Sequence, residues 1–251
     1  MKYTSKNDAL NLIDTQKKKY PSITIDWSGI IFLGIHSDWD YTKCTVTIFM
    51  PNYINKALSI FQHKKPKHNQ HSPHPNATPN YVSKIQYAPP STTSNLTDSQ
   101  IIYCQQVIGS FLFYDRTIDS TMLNTVGYIA THLYTAQWDN INNCINHFLD
   151  YAATHTYAKV TYHKSDMHIW VHTYYSYLTE PKAIPEAGGY HYLSNKPKLT
   201  IKYDNQPPRH NHPVLVLKKV IDAVMSSTQE SETGGGYINA KEALTISQTT
   251  I

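Results

Sequence analysis

The 251-residue chain is poor in charge: Asp, Glu, Lys and Arg make up only 16% of it, against roughly 25% in ordinary globular domains. The 22 basic and 18 acidic residues balance to +4, too small an excess for the dense basic stripe of a dedicated phosphate binder. Cysteine is scarce as well. Cys44, Cys104 and Cys144 are odd in number and far apart, which argues against a disulfide framework and a CxxC zinc site and fits a reducing interior. Uninterrupted apolar sequence is short. The longest run, Ile30 to Ile35, falls far below the ~20 residues that cross a bilayer, and Met1-Lys2-Tyr3-Thr4 opens no signal-peptide core. The expectation is an intracellular chain, in cytoplasm or nucleus, with no membrane partner. A phosphate-cradling loop is also missing, because no Lys-Ser/Thr follows Gly234-Gly235-Gly236, and there is no GxSxG elbow.

What the chain does have is aromatic mass: 20 Tyr, 6 Phe and 4 Trp within a hydrophobic fraction of 40%. That composition excludes wholesale disorder, and the length allows one large domain or two small ones. Asp8 to Tyr20 reads as a helix ending before Pro21. Ile30 to Leu33 and Thr45 to Phe49 read as strands joined by a polar tip over residues 36–43, and Pro51 opens a short amphipathic helix carrying Ile54, Ala57, Leu58 and Phe61. From His63 to Asp98 the prolines Pro66, Pro73, Pro75, Pro79, Pro89 and Pro90 interrupt a Ser/Thr/Asn/His-rich stretch, so this is a linker or wrapping arm.

Three helices follow. The first starts at a capping box, Thr97-x-x-Gln100, and carries Ile101, Val107, Ile108 and Leu112. The second runs from about Ser120 with Met122, Leu123, Val126, Ile129 and Leu133. The third carries Trp138, Ile141, Ile145, Phe148, Leu149 and Ala152. Core packing accounts for these stripes without any ligand. From Ala158 the period becomes two: Val160 and Tyr162, then His168, Trp170, His172 and Tyr174 beyond a turn at Lys164-Ser165-Asp166, the pattern of antiparallel strands. A loop holding Pro181, Pro185 and Gly188-Gly189 leads to a strand over Tyr190 to Leu193. Another strand covers Val214 to Leu217, and a helix over Ser227 to Ala243, weakened by its three glycines, closes the pattern. The fold class is α+β.

Candidate chemistry is sparse. His63, His68, His71 and His74 invite a metal reading, but proline breaks the local geometry and no thiolate or carboxylate joins them. Asp38 and Asp40 share a face if their strand persists; a solvated turn is the plainer account. Glu230 and Glu232 share a helix start, where interaction with the helix dipole suffices to explain them. The cysteines sit on apolar faces and read as inert. Lys17-Lys18-Lys19 and Lys64-Lys65-Pro66-Lys67 are the densest positive charge. With Tyr81 and Tyr87 on the arm they offer phosphate contacts and stacking, or simply a solvated surface.

Several segments, taken in order, resemble the copia-type retrotransposon reverse transcriptases. Phe32-Leu33-Gly34-Ile35 followed by Met50-Pro51-x-Tyr53-Ile54-x-Lys56-Ala57-Leu58 is similar to the family's segment just after the polymerase active site. Gln70-His71-Ser72-Pro73-His74 resembles its arm. Gly109-Ser110-x-Leu112-x-Tyr114 with Ile118-Asp119-Ser120-Thr121-Met122-Leu123 resembles its helical region. Leu149 to Thr154, Tyr162-His163-x-Ser165-Asp166-Met167, Tyr177-Leu178-x-Glu180-Pro181-Lys182, Ala187-Gly188-Gly189 and Val224-Met225-Ser226-Ser227 resemble its ribonuclease H part.

The likeness covers nearly the whole chain. It implies a post-palm, thumb-like segment over 1–62, a Pro/His-rich linker arm over 63–98, a helical connection over 99–155 and a truncated ribonuclease H-like α/β domain over 156–251.

The departures from the family carry the functional expectation. No Tyr-x-Asp-Asp occurs; in the family that motif lies shortly before the position of Met1, so polymerisation is not expected. Where the family's ribonuclease H strand has its first metal-binding aspartate, this chain reads His172-Thr173-Tyr174-Tyr175-Ser176. Tyr174 takes that place, and a phenol, neutral at pH 7, does not bridge two Mg²⁺ ions as a carboxylate does. The family's helix glutamate maps to Glu232, a vestigial metal ligand, and its later aspartates map beyond Ile251. The resemblance thus implies an inactive fragment of an RNA-directed DNA polymerase/ribonuclease H polyprotein. No cofactor is expected, although the parent family uses Mg²⁺. The alternative is a non-catalytic module that binds an RNA/DNA hybrid weakly through Lys17, Lys18, Lys19, Lys64, Lys65 and Lys67. The remainder of a polyprotein is the other partner implied.

Overall fold

The computed structural model describes residues 5–75, 96–134, 136–180, 184–196, 211–223 and 225–249. Helix α1 (Lys6–Lys19) has Asp8 in its first turn and Lys17, Lys18 and Lys19 in its last, charges that complement the helix dipole. It buries no side chain. Strands β1 (Ile31–Phe32), β2 (Ile35–Asp40) and β3 (Thr45–Phe49) then run antiparallel. Leu33 and Gly34 join β1 to β2 with φ of 51° and 81°, the two left-handed residues of a tight primed hairpin turn.

The polar stretch expected as a hairpin tip is instead mostly strand β2, and only residues 41–44 turn. Polar residues are tolerated there because the strand is half solvated and its side chains find local partners: Ser37 Oγ donates to the Gly29 carbonyl at 2.5 Å, and the Trp39 indole donates to Ser37 Oγ at 3.2 Å.

Helix α2 (Tyr53–Ile60) and three longer helices, α3 (Asp98–Thr117), α4 (Leu123–His132) and α5 (Trp138–Thr154), build the main core. The capping box forms as the sequence predicts. Gln100 N–H donates to Thr97 Oγ1, and Thr97 N–H donates back to the Gln100 side chain. Val107, Phe111, Ile129, Ile141, Ile145 and Phe148 are fully buried, with Phe111 and Phe148 meeting edge to face at 4.9 Å. Each such side chain contributes on the order of 1.5–3 kcal/mol by leaving water.

One pairing differs from expectation. Strand β4 (Lys159–His163) does not fold back on the strand that follows it. It pairs antiparallel with β3, giving a sheet in the order β1-β2-β3-β4. Long-range contacts decide the matter: Val160 is buried in the helical core, the Thr47 and Thr161 hydroxyls meet at 2.9 Å, and Lys164 N–H extends the ladder to the Cys44 carbonyl. A boundary at 155/156 thus falls between α5 and β4, whereas the change of sheet falls across residues 164–167.

The second sheet is a meander of β5 (His168–Glu180), β6 (Ile184–Ser194) and β7 (Pro213–Val220), followed by α6 (Thr228–Thr249), which packs on β5 and β6. Residues expected as a loop, Pro185 and Gly188-Gly189 among them, lie inside β6. The glycines serve close packing. A β-carbon at Gly189 would overlap the Asn239 amide, and one at Gly235 would overlap the Tyr175 ring. The glycine run that lowers helix propensity therefore lets α6 sit directly on the sheet. The protein is α+β, and among the described residues no helix is long and apolar enough to cross a membrane.

Candidate functional site

Strand alternation fixes where Tyr174 and Glu232 stand. Tyr175 packs beneath Gly235 of α6, so Tyr174, one residue earlier, projects from the opposite face of the sheet. There it lines a cavity of about 220 Å³ with Ser120, Leu123 and Asn124. It is 70% exposed and lies across from Gly188 on β6. Glu232 is exposed on α6, beside the buried stripe Ser231, Gly235 and Asn239 that faces the sheet. The two positions named by the family likeness are thus separated by the sheet itself.

Two Mg²⁺ ions require several carboxylates converging on one point. These residues do not fit that group, and among the described residues no three of His, Cys, Asp and Glu are gathered as metal ligands.

Of the other carboxylates noted in the sequence, Asp40 and Glu230 serve local structure. Asp38 and Asp40 do share a face of β2, which persists through both. Asp40 accepts from Lys43 N–H at 2.9 Å and pairs with the Lys43 ammonium at 3.1 Å, bonds that hold its carboxyl below the usual range. Glu230 accepts from Ser226 N–H at 2.7 Å, which also holds its carboxyl low, while its own N–H donates to Ser227 Oγ at 3.2 Å. Those bonds cap α6.

Lys17, Lys18 and Lys19 are exposed in the last turn of α1, and Lys64, Lys65 and Lys67 are exposed just after α2. Tyr81 and Tyr87 lie outside the described residues. The arm histidines do not converge. His63 meets the Asp150 carboxylate at 2.8 Å, His71 meets His155 at 3.2 Å, and His74 packs on Tyr128 with ring centroids 4.9 Å apart. Gln70 N–H donates to Thr154 Oγ1 at 3.0 Å, and His147 binds the Ser72 carbonyl at 2.9 Å. Together these contacts strap residues 63–75 against α5, the residue that follows it and α4. Cys104 and Cys144 are buried, and burial raises both thiols, Cys144 to about 11, consistent with inert side chains; Cys44 is exposed.

The sequence reading missed a pair of buried acids. Asp115 is fully buried on α3, and among the described residues neither of its oxygens has a hydrogen-bond partner. Burial, reinforced by nearby Asp119, pushes it up to about 9, so it is protonated at neutral pH. The signal was present: Asp115 continues the stripe Val107, Phe111 at four-residue spacing, a polar residue on a face that must be buried.

Asp119 is 9% exposed. It accepts from the Thr121 N–H and hydroxyl at 3.2 and 2.5 Å through Oδ1, and from the Tyr151 hydroxyl at 3.2 Å through Oδ2. It lines a second cavity, of about 290 Å³, with Tyr151, His155, Tyr157, Lys159 and His212.

No protein-family model matches the chain, and neither a curated protein nor a solved structure shows significant similarity to it.

Proposed function

We propose that this chain is a catalytically silent relative of the copia-type reverse transcriptase/ribonuclease H polyproteins, spanning the region after the polymerase active site and the front of the ribonuclease H domain. The observation that carries the reading is the placement of Tyr174 and Glu232 on β5 and α6. The order of elements is compatible with it, since three antiparallel strands are followed by a helix laid across them. The position that would hold the first metal ligand carries a neutral phenol directed away from the helix that carries Glu232. With no carboxylate there and no convergence across the sheet, the pair does not assemble a two-ion centre.

The test is hydrolysis of the RNA strand of an RNA/DNA hybrid in Mg²⁺. The reading predicts no cleavage above a no-protein control, and cleavage that disappears in Glu232→Ala would overturn it.

A second reading, a hybrid-binding module, is favoured by one feature. Lys17, Lys18, Lys19, Lys64, Lys65 and Lys67 are all exposed, and among the described residues none is held in an ion pair, which leaves six ammonium groups for phosphates. Binding of this kind weakens steeply as salt rises. Undetectable binding of a hybrid duplex at low salt would eliminate it.

A further inference from the structure

The 290 Å³ cavity is closed by three parts of the molecule: the Ile118–Thr121 turn after α3, the C-terminal end of α5 with Tyr157 and Lys159 beyond it, and His212 ahead of β7. Neither Tyr174 nor Glu232 lines it. Its charge is arranged along its depth. Asp119, almost wholly buried, lies at the floor, while Lys159 is exposed at the rim with its ammonium over the Tyr157 and Phe49 rings at 4.8 and 5.3 Å from their centroids.

The floor carboxylate is held in place by three donors, two on Oδ1 and one on Oδ2. A carboxylate has about four lone-pair sites, so among the described residues one on Oδ2 is left without a donor. The walls include the rings of Tyr151, Tyr157 and His155, with Tyr151 and His155 in contact at 4.7 Å.

This arrangement selects its ligand by elimination. A simple anion is opposed by the acidic floor, where Asp119 has Asp115 close by. A simple cation is opposed by Lys159. What satisfies both ends is a flat ring with a neutral N–H donor at its far edge and an anionic group trailing toward the rim. The geometry points to a mononucleotide site that takes amino-bearing bases, the exocyclic amine donating to Asp119 Oδ2, the base lying against the aromatic walls and the phosphate meeting Lys159. Uracil fits poorly because its ring N–H is flanked by two carbonyl oxygens, which would face the carboxylate. A nucleotide at the end of a strand presents the same chemistry as a free one.

Calorimetric titration of the full chain with CMP and UMP tests the assignment. CMP binds about tenfold or more tightly than UMP, the size expected of one hydrogen bond made and one repulsive carbonyl contact avoided. Lys159→Gln, a change at an exposed position, lowers affinity for CMP but leaves cytidine unaffected, so the ratio of the two affinities falls toward one. Asp119→Asn, which offers the floor an amide donor as well as an acceptor, erases the preference for CMP over UMP.

A 5′-phosphorylated oligocytidylate distinguishes the sources. Binding by the oligonucleotide alone assigns the site to a strand end, and binding by CMP assigns it to the free nucleotide. Equal affinity for CMP and UMP in the unmodified chain, no binding of CMP or the oligonucleotide at millimolar concentration, or a CMP to cytidine ratio unchanged by Lys159→Gln would each overturn the proposal. Its failure leaves the parentage reading untouched, since that reading is judged by hybrid cleavage.

Discussion

The helical body and the β5–β7/α6 unit are stabilised by different means. The body, from Met50 through Val160, buries one continuous apolar cluster in which Phe111, Phe148, Tyr114 and a set of isoleucines fill the space between helices. Among the described residues of the C-terminal unit, the buried hydrophobic side chains are Ala187, Tyr192 and Ile221, alongside buried His191, Ser194, Ser231 and Asn239. Helix and sheet come together there at glycines, and Asn239 Nδ2 bridges the Gly188 and Gly235 carbonyls at 3.1 and 2.9 Å. Apolar volume holds the first region, whereas backbone proximity and a few buried polar bonds hold the second. A fold of the second kind depends on small residues at particular positions more than on hydrophobic mass.

The largest effect should come from the body. Phe148→Ala removes a fully buried ring that meets Phe111 and is expected to cost about 3–5 kcal/mol, read as a drop in the denaturant midpoint. Loss of protection should extend through α3, α4 and α5 in hydrogen exchange. An effect confined to α5 would show that the cluster is not one cooperative unit.

Next is Gly235→Ala, which drives a methyl into the Tyr175 ring and is expected to cost about 1–3 kcal/mol. Its signature is local: faster exchange in α6 and β5 with the body unchanged. A neutral or stabilising outcome, as helix propensity alone predicts for Gly→Ala, would contradict the close-packing account.

The smallest effect, taken per pH unit, concerns Asp115. Burial raises its folded-state value to about 9 from the usual 3.8, so the folded chain holds the proton more tightly than the unfolded one. Its contribution is full below about pH 4 and is lost as pH rises toward 9. Between those limits stability falls by at most about 1.4 kcal/mol per pH unit on its account. Asp115→Asn should flatten that slope, matching the unmodified chain near pH 4 and exceeding it near pH 8 in thermal melts. Parallel pH profiles for the two proteins would refute the assignment.

How much of this was legible in the sequence follows the same division. In the body, three- and four-residue spacing and the Thr97/Gln100 box marked the helices, because each apolar stripe has one core to face. In the sheets the local pattern misled. Residues 36–43 looked like a polar tip because a half-solvated strand takes Ser and Asp freely. Gly188-Gly189 looked like a loop, and Gly234-Gly235-Gly236 like a weak stretch of helix, because the reason for a side chain's absence lies in a partner element remote in sequence. The partner of β4 was hidden as well, since its register is set by Thr45 to Phe49, more than a hundred residues earlier.

The candidate site was legible in identity but not in geometry. Tyr174 and Glu232 were named from the sequence; only strand alternation and the seat of Tyr175 under Gly235 show which face each occupies. Asp115 was readable from its stripe, whereas the cavity around Asp119 draws on three separated segments and needed coordinates.

The central claim, that the sheet separates Tyr174 from Glu232, is tested most directly by Tyr174→Asp. This change places a carboxyl group at an exposed site without touching the core. If Tyr174 faces away from α6, the variant should cleave the RNA strand of a hybrid in Mg²⁺ no faster than the unmodified chain. Cleavage gained by Tyr174→Asp and abolished when Glu232→Ala is added would contradict it, by demonstrating that the two carboxylates meet.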